Sequence, residues 1–244
     1  MSSHSLSELK SAALEVIGIL KGLPQFADQK IAVIGGMALW MYLPRGRSTE
    51  DVDFIVTLDG PKSIKPALLN LQNSPFVERA QWFYYRTPSG KLVQIDFVAQ
   101  WQAPYFPSAA QKVKDIPEGI IPMISPEDLV LSKIFSCGLR GDGDKKQRDA
   151  GDAAALLEAL TKSVGSLQLP EAKIEIAKQS LIDVIPLTDK DEAWWRSKLG
   201  LPQSPTTSPS RVPSDAPSAS RGGSSAHGRP SQGTASQGSS RKYY

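Results

Sequence analysis

The sequence predicts an α/β (α+β) fold in which a small mixed β-sheet, flanked by helices, is followed by a helical portion. Strand patterns alternate with helical periodicity up to residue 124, whereas residues 125–200 carry helical patterns alone. After residue 200 the composition changes to Ser, Pro and Gly with almost no aliphatic side chains. We therefore divide the chain into a core at 1–124, a helical portion at 125–200 and a disordered basic tail at 201–244.

A strand, a glycine turn and a helix follow the first amphipathic helix, which is expected to end near residue 22. Residues 31–34 form a short apolar strand that leads into Gly35 and Gly36. Residues 37–43 then show the pattern of a helix and are followed by a proline, which ends it. The two glycines therefore connect a strand to a helix.

Further strands complete the predicted sheet. Residues 52–57 form the second strand, and a helix over 62–71 follows. Residues 79–86 and 91–99 are expected to pair as a hairpin, because the four residues between them are typical of a turn. The aromatic run at 82–85 either alternates between the core and an outer face or stacks on bases. The hairpin makes the sheet mixed.

Caps indicate where two helices begin. Ser5 and Glu8 have the spacing of a capping box. Ser125 and Pro126 are a capping serine and a first-turn proline. The helical portion is predicted to contain four helices, which cover residues 125–137, 145–160, 171–184 and 189–199.

Length and composition limit the classes of protein to which the chain can belong. With 244 residues, of which 40% are hydrophobic, the chain can bury a substantial core. No stretch approaches the ~18 apolar residues of a membrane-spanning helix, and no apolar segment follows a basic flank at the N-terminus. We therefore expect a cytoplasmic protein without a membrane partner. Cys137, the single cysteine, is either a small buried side chain or a reactive thiol.

The positive charge of the chain lies in its tail. The whole chain has a formal net charge of +3, and residues 201–244 carry five basic side chains against one acidic side chain. The rest of the chain is thus close to neutral, which argues against broad, charge-driven binding to a nucleic-acid duplex. The tail alone remains a candidate for binding anionic partners.

Three carboxylates form the candidate metal site. Asp51 and Asp53 are two residues apart on a predicted strand, so both side chains project from one face. Asp96 occupies the polar face of the strand at 91–99 and can join the pair if the two strands are neighbours. Hard divalent ions such as Mg²⁺ prefer carboxylate oxygens. Three carboxylates could hold two such ions.

The strand, glycine turn and helix provide a candidate phosphate site upstream. Gly35 and Gly36 allow the backbone to approach a ligand closely. The start of the following helix offers free N–H groups and the positive end of a dipole. A glycine turn alone and an acidic pair alone are each weak indications of a binding site. The order of strand, glycine turn, helix and acidic pair along the chain is a far more specific indication.

In this order the sequence resembles the nucleotidyltransferase superfamily that includes DNA polymerase beta, and most closely its AbiE-type toxin nucleotidyltransferases and their uncharacterised relatives. The resemblance covers roughly residues 28–160. Three segments carry its first signature: Ile34-Gly35-Gly36-Met37-Ala38-Leu39, Arg47-Ser48-Thr49-Glu50-Asp51-Val52-Asp53-Phe54 and Val93-Gln94-Ile95-Asp96-Phe97. A second signature, a lysine on one helix and Arg-Asp-x-x-Asp on the next, is matched by Lys133 and Arg148-Asp149-Ala150-Gly151-Asp152.

The resemblance implies a catalytic reaction and the residues that perform it. Gly35 and Gly36 would cradle the nucleoside triphosphate, while Asp51 and Asp53 bind Mg²⁺. Asp96 would be the third metal-binding carboxylate and would help to deprotonate the acceptor hydroxyl. The implied activity is Mg²⁺-dependent transfer of a nucleoside monophosphate to a hydroxyl, with RNA and protein as candidate acceptors.

Four further residues are implied to contact the nucleotide. Arg47 and Thr49 belong to the first signature, while Lys133 and Arg148 are candidates for neutralising charge on the phosphates. Arg148 is also four residues before Asp152, so the two side chains could instead form an ion pair on a helix surface.

One departure from the family pattern leaves a second functional reading open. Many relatives carry a serine directly after the glycines, where this chain has Met37. The helices after residue 160 contain no recognisable motif for binding an acceptor. The alternative is a catalytically inactive protein of the same fold that acts as a nucleotide-binding or regulatory module.

Overall fold

The computed structural model describes residues 4–57 and 63–203. Of the tail predicted at 201–244, only residues 201–203 are among them. The predictions that the tail is disordered and binds anionic partners therefore concern residues outside the described ranges. Within the described ranges, six strands run over β1 Lys30–Ile34, β2 Asp51–Val56, β3 Phe76–Arg79, β4 Trp82–Arg86, β5 Leu92–Ala99 and β6 Gln111–Lys112. The same part of the chain contains seven α-helices: α1 Leu6–Lys21, α2 Gly35–Tyr42, α3 Ile64–Leu69, α4 Pro126–Leu139, α5 Gly143–Val164, α6 Glu171–Val184 and α7 Glu192–Leu199.

The strands form one mixed sheet in the order β3-β4-β5-β2-β1-β6. Strands β2 and β5 pair in parallel, and the other neighbouring strands pair antiparallel. The predicted mixed α/β fold is therefore confirmed. The parallel pair lies inside the sheet, so the strand that carries Asp51 and Asp53 is flanked by β1 on one side and β5 on the other.

The two faces of the sheet contact different groups of helices. Alternation along β2 sends Val52, Phe54 and Val56 into a buried cluster with the apolar face of α1. On the other face, Ile34 and Ile55 belong to a second buried cluster, formed with α4, α5, α6 and α7. Asp51 and Asp53 point to this second face, so the helical portion covers the sheet beside them. The domain boundary at residue 124 stays a prediction.

Helix caps follow the sequence prediction closely. The side chain of Ser5 accepts a hydrogen bond from the backbone of Glu8, whose side chain accepts one from Ser5 in return. Ser125 caps α4 by accepting a hydrogen bond from the backbone N–H of Asp128 at 3.1 Å. Helix α1 ends at Lys21 with Gly22 as its C-cap, close to the expected end near residue 22.

Several predicted boundaries differ from the structure. Gly35 and Gly36 do not form a separate turn but are the first residues of α2. Helix α5 begins at Gly143, because the side chain of Asp142 caps it, and the loop before it is shorter than predicted. Helix α7 begins at Glu192, after the capping residue Asp191.

The segment predicted as one strand at 79–86 is in fact part of a second hairpin. Strands β3 and β4 pair antiparallel, with Arg79 opposite Trp82, and Ala80 lies in their turn at φ 53°. The turn was missed because it contains no glycine, proline or asparagine. The predicted hairpin of β4 and β5 is confirmed. Phe83 and Tyr85 are buried, which supports core packing for the alternating aromatics.

No helix among residues 4–57 and 63–203 combines the length and the apolar character that crossing a bilayer requires.

Candidate active site

Asp51, Asp53 and Asp96 lie side by side on two neighbouring strands. Asp51 and Asp53 project from one face of β2, and Asp96 on β5 is the direct register partner of Asp53. One oxygen from each of the three carboxylates lies within 4.8 Å of the other two. Asp96 was predicted to join Asp51 and Asp53 if the two strands are neighbours. Strands β2 and β5 are neighbours, so this condition is met.

Burial and the charges of two neighbouring carboxylates raise the proton affinity of Asp53. Desolvation, together with the charges of Asp51 and then Asp96, raises the pKa of Asp53 to about 7. The charge of Lys133 and a hydrogen bond from the backbone N–H of Gly36 act in the opposite direction. A cation held between the carboxylates would remove this repulsion and favour the ionised form.

Neighbouring polar groups orient the other two carboxylates. Thr49 donates a hydrogen bond from its hydroxyl to Oδ1 of Asp51. Gln94, two residues before Asp96 on the same face of β5, donates from Nε2 to Oδ2 of Asp96 at 2.7 Å. Each of these carboxylates keeps a second oxygen, and all three side chains are partly exposed. This donor set of hard oxygen atoms fits Mg²⁺.

The glycines at the start of α2 lie against the carboxylates so closely that no larger residue fits. A Cβ atom on Gly35 would lie 1.8 Å from Oδ2 of Asp53, and Gly35 also has a positive φ of 67°. A Cβ atom on Gly36 would lie 2.5 Å from Oγ1 of Thr49. The absence of side chains at these two positions keeps the backbone at the helix start next to the acidic cluster.

Arg47 reaches the site from the loop between α2 and β2. Its Nε donates to both carboxylate oxygens of Asp152, at 2.9 and 3.1 Å, and its Nη2 donates to Oδ2 at 2.7 Å. The hydrogen bond from Arg47 and the charge of Lys133 hold the pKa of Asp152 below its usual range, although burial alone would raise it. Helix α5 thus anchors the loop that carries Thr49.

Lys133 is a buried cation on α4. Its Nζ lies 2.6 Å from Oδ1 of Asp149 and 2.8 Å from Oδ2 of Asp152. Asp149 also accepts a hydrogen bond from Nε of Arg140. Lys133 is therefore paired with both acidic side chains of α5, and its charge also acts on Asp53 of the sheet.

A family model describing a nucleotidyltransferase of unknown function, DUF6036, matches residues 14–149. The match spans more than half of the chain, and all three strand carboxylates lie within it. The protein belongs to this nucleotidyltransferase family. Its predicted closeness to AbiE-type enzymes in particular stays a prediction.

Three solved structures of other proteins are similar to this one. An antigenic nucleotidyltransferase-like protein from Paracoccidioides brasiliensis superposes with a TM-score of 0.53 at 20% identity, covering 81% of this chain and 96% of that one. This similarity confirms the fold. The antibiotic-resistance factor ANT(2'')-Ia covers 64% and 89% of the two chains, at 15% identity and a TM-score of 0.32. The nucleotidyltransferase toxin MenT4 from Mycobacterium tuberculosis H37Rv covers 79% and 87%, at 14% identity and a TM-score of 0.35. No curated protein matches the sequence.

Arg148 and Asp152 do not pair with each other in the part of the chain that the structure describes. Arg148 is exposed on α5, and the ion pair that its spacing to Asp152 suggested is not found among the described residues. Asp152 pairs with Arg47 and Lys133 instead, an arrangement that the sequence did not indicate. The only signal was the acidic pair at i and i+3 on one helix face, formed by Asp149 and Asp152.

The remaining candidates lie away from the carboxylates or in the core. Met37 is fully buried with the cluster under the opposite face of the sheet, so it offers no polar group to a nucleotide. Cys137 is buried, and desolvation followed by the charge of Asp149 raises the pKa of its thiol to about 11. The protonated thiol is poorly suited to act as a nucleophile, which favours the reading of a small buried side chain.

Proposed function

We propose that this protein is a Mg²⁺-dependent enzyme that transfers a nucleoside monophosphate from a nucleoside triphosphate to a hydroxyl acceptor. The observation that carries the proposal is the cluster of Asp51, Asp53 and Asp96, with oxygens within 4.8 Å of one another beside Gly35 and Gly36. Membership of a nucleotidyltransferase family supports the same reaction. RNA and protein are the candidate acceptors.

In this proposal the three carboxylates bind two Mg²⁺ ions. Bound there, the ions would stabilise the charge that develops on the attacking and leaving oxygens. Burial and the charges of Asp51 and Asp96 raise the pKa of Asp53, and a divalent ion bound by all three carboxylates would neutralise more of this charge than a single proton does. Thr49 and Gln94 hold Asp51 and Asp96 in orientation by hydrogen bonds.

The nucleotide would lie with its phosphates against the start of α2. Gly35 and Gly36 let the phosphates approach the backbone there, where N–H groups and the helix dipole favour negative charge. Arg47 and Lys133 would supply positive charge from the side of the helical portion. The base of the nucleotide has no assigned contact in this proposal.

The reaction requires one proton transfer and one displacement at phosphorus. Asp96 accepts the proton of the acceptor hydroxyl, whose oxygen forms a bond to the α-phosphorus. The bond between the α-phosphorus and the bridging oxygen of the β-phosphate breaks at the same centre. Pyrophosphate leaves with this oxygen, and the acceptor keeps the nucleoside monophosphate.

The test is a transfer assay with each of the four α-³²P-labelled ribonucleoside triphosphates, Mg²⁺ and either total RNA or a cell extract. We expect label on a macromolecule with the wild type and with Glu158→Gln, which alters an exposed carboxylate on α5. We expect none with Asp53→Asn or after chelation of Mg²⁺. Nucleotide binding that persists in Asp53→Asn without Mg²⁺, together with no transfer to any acceptor, would favour the inactive binding module instead.

A further inference from the structure

Asp152 joins two cations that come from different parts of the chain. Its Oδ2 accepts hydrogen bonds from Nη2 of Arg47 at 2.7 Å and from Nζ of Lys133 at 2.8 Å. Its Oδ1 accepts from Nε of Arg47 at 2.9 Å. Arg47 precedes β2 and Lys133 lies on α4, so one carboxylate on α5 connects the loop of the core to a second helix.

Asp152 is a counter-ion that the two cations share. Arg47 and Lys133 carry like charges, so a common negative charge favours their close approach. The side chains of Lys133 and Asp152 are each only 8% exposed, and burial strengthens their attraction. The two-pronged contact also fixes the plane of the Arg47 guanidinium, which a single contact would leave free to rotate.

Arg47 lies on the loop that leads into the candidate metal site. It is two residues before Thr49, whose hydroxyl donates a hydrogen bond to Asp51. Lys133 is connected to Arg47 through the shared carboxylate of Asp152. The two cations are therefore attached to the loop that carries the hydrogen-bond donor of Asp51.

We propose that Asp152 is a positioning residue, which holds Arg47 and Lys133 ready to receive the β- and γ-phosphates of the nucleotide. The inference rests on the proposed function. Asp152 itself does not contact the substrate, because a carboxylate would repel a phosphate. Its partner Asp149 holds Lys133 from the other side. Since the contacts involve phosphates alone, the positioning applies to any nucleoside triphosphate.

Magnesium tripolyphosphate is the probe that isolates this effect, because it presents the phosphate chain without a base or a sugar. Isothermal titration calorimetry would measure its affinity for the wild type and for Asp152→Asn, which preserves the shape of the side chain but removes its charge. We expect a loss of affinity of about 10- to 100-fold, the size that is typical of residues acting through a ligand-binding neighbour. Asp152→Glu, which restores the charge, should recover part of the affinity.

A purely structural role for Asp152 would give a different result. Mn²⁺ binding, followed by electron paramagnetic resonance without the phosphate probe, should be the same in Asp152→Asn as in the wild type. The loss on removing Asp152 should also be smaller in an Arg47→Gln background, because the effect of Asp152 passes partly through Arg47. Glu158→Gln, on an exposed turn of the same helix, should bind the probe like the wild type.

The outcomes separate the two proposals. If the wild type binds the probe and Asp152→Asn binds it equally well, the positioning role is overturned while the proposed function stands. If the wild type itself does not bind magnesium tripolyphosphate, the phosphate site of the proposed function is overturned as well. Should Asp152→Asn fail to fold, Asp152→Glu alone carries the comparison. Its longer side chain displaces the carboxylate from both cations, so a smaller loss of affinity is expected, and an affinity equal to that of the wild type would overturn the positioning role.

Discussion

Asp53 and Asp96 face each other directly across the parallel strands β2 and β5. Like charges opposite each other on neighbouring strands destabilise a sheet. Here Asp51 adds a third negative charge, and burial together with the charges of Asp51 and Asp96 raises the pKa of Asp53. The sheet thus contains a local electrostatic repulsion that a bound divalent cation would relieve. Metal binding is therefore expected to increase the stability of the protein.

This link predicts a metal-dependent melting temperature. Mg²⁺ at ~100 times its dissociation constant should add about 2.7 kcal/mol to the free energy of unfolding, a rise of several degrees in melting temperature. Asp53→Asn should remove this response, because it deletes a ligand. Without Mg²⁺ the variant should be at least as stable as the wild type, because one repelling charge is gone. Differential scanning calorimetry with and without Mg²⁺ measures both effects.

The control for this experiment is Glu158→Gln, which should keep the full response to Mg²⁺ because Glu158 is exposed on α5. An equal rise of melting temperature in the wild type and in Asp53→Asn would contradict metal binding at this cluster.

Gly35 should not tolerate even a methyl group. In Gly35→Ala the left-handed backbone alone costs about 1–2 kcal/mol, and the new Cβ would displace the carboxylate of Asp53. We expect a lower melting temperature together with weaker Mn²⁺ binding. Gly18→Ala is the matched control: it adds a methyl group to open space on α1, so it should stabilise by about 0.5–1 kcal/mol. Normal metal binding by Gly35→Ala would contradict the close packing of glycine and carboxylate.

Local patterns were sufficient to predict most elements and to bring together two of the three carboxylates of the candidate metal site. Strict alternation placed Asp51 and Asp53 on one face, and the structure agrees. Whether Asp96 joins them depends on the order of the strands, and β2 and β5 become neighbours only through the whole sheet. Periodicity carries no information about such long-range pairing, so the third carboxylate could be predicted only conditionally.

The cations illustrate the same limit more sharply. Helical spacing suggested a pair of Arg148 with Asp152, yet Asp152 is bound by Arg47, which is 105 positions away in the sequence. A bidentate contact to a buried carboxylate is stronger than an exposed ion pair between two residues of one helix. Tertiary structure thus decided the partner of Asp152, for which local spacing had offered Arg148 as one of two alternatives.

The missed turn between β3 and β4 leads to a prediction about stability. Ala80 has a φ of 53°, which is unfavourable for a residue with a Cβ atom. Ala80→Gly should relieve this strain, and after the larger entropy of the unfolded chain is taken into account we expect a gain of about 0.5 kcal/mol. Ala155→Gly, in an exposed position within α5, should instead destabilise by about 0.8–1.0 kcal/mol. Urea denaturation distinguishes the two, and destabilisation by Ala80→Gly would contradict the turn.

The ion pairs of Asp152 predict how the fold responds to acid. Its pKa is lowered in the folded protein, since the hydrogen bond from Arg47 and the charge of Lys133 outweigh the effect of burial. A lowered folded-state pKa gives stabilisation that is complete above the unfolded-state pKa of about 3.9 and is lost as the pH falls through the folded value. The free energy of unfolding should therefore decrease below about pH 4, and it should decrease less steeply in Asp152→Asn, where this titration is absent. Urea denaturation at a series of acidic pH values measures both slopes. Equal slopes would show that the buried carboxylate contributes nothing to acid sensitivity, contrary to its contacts with two cations.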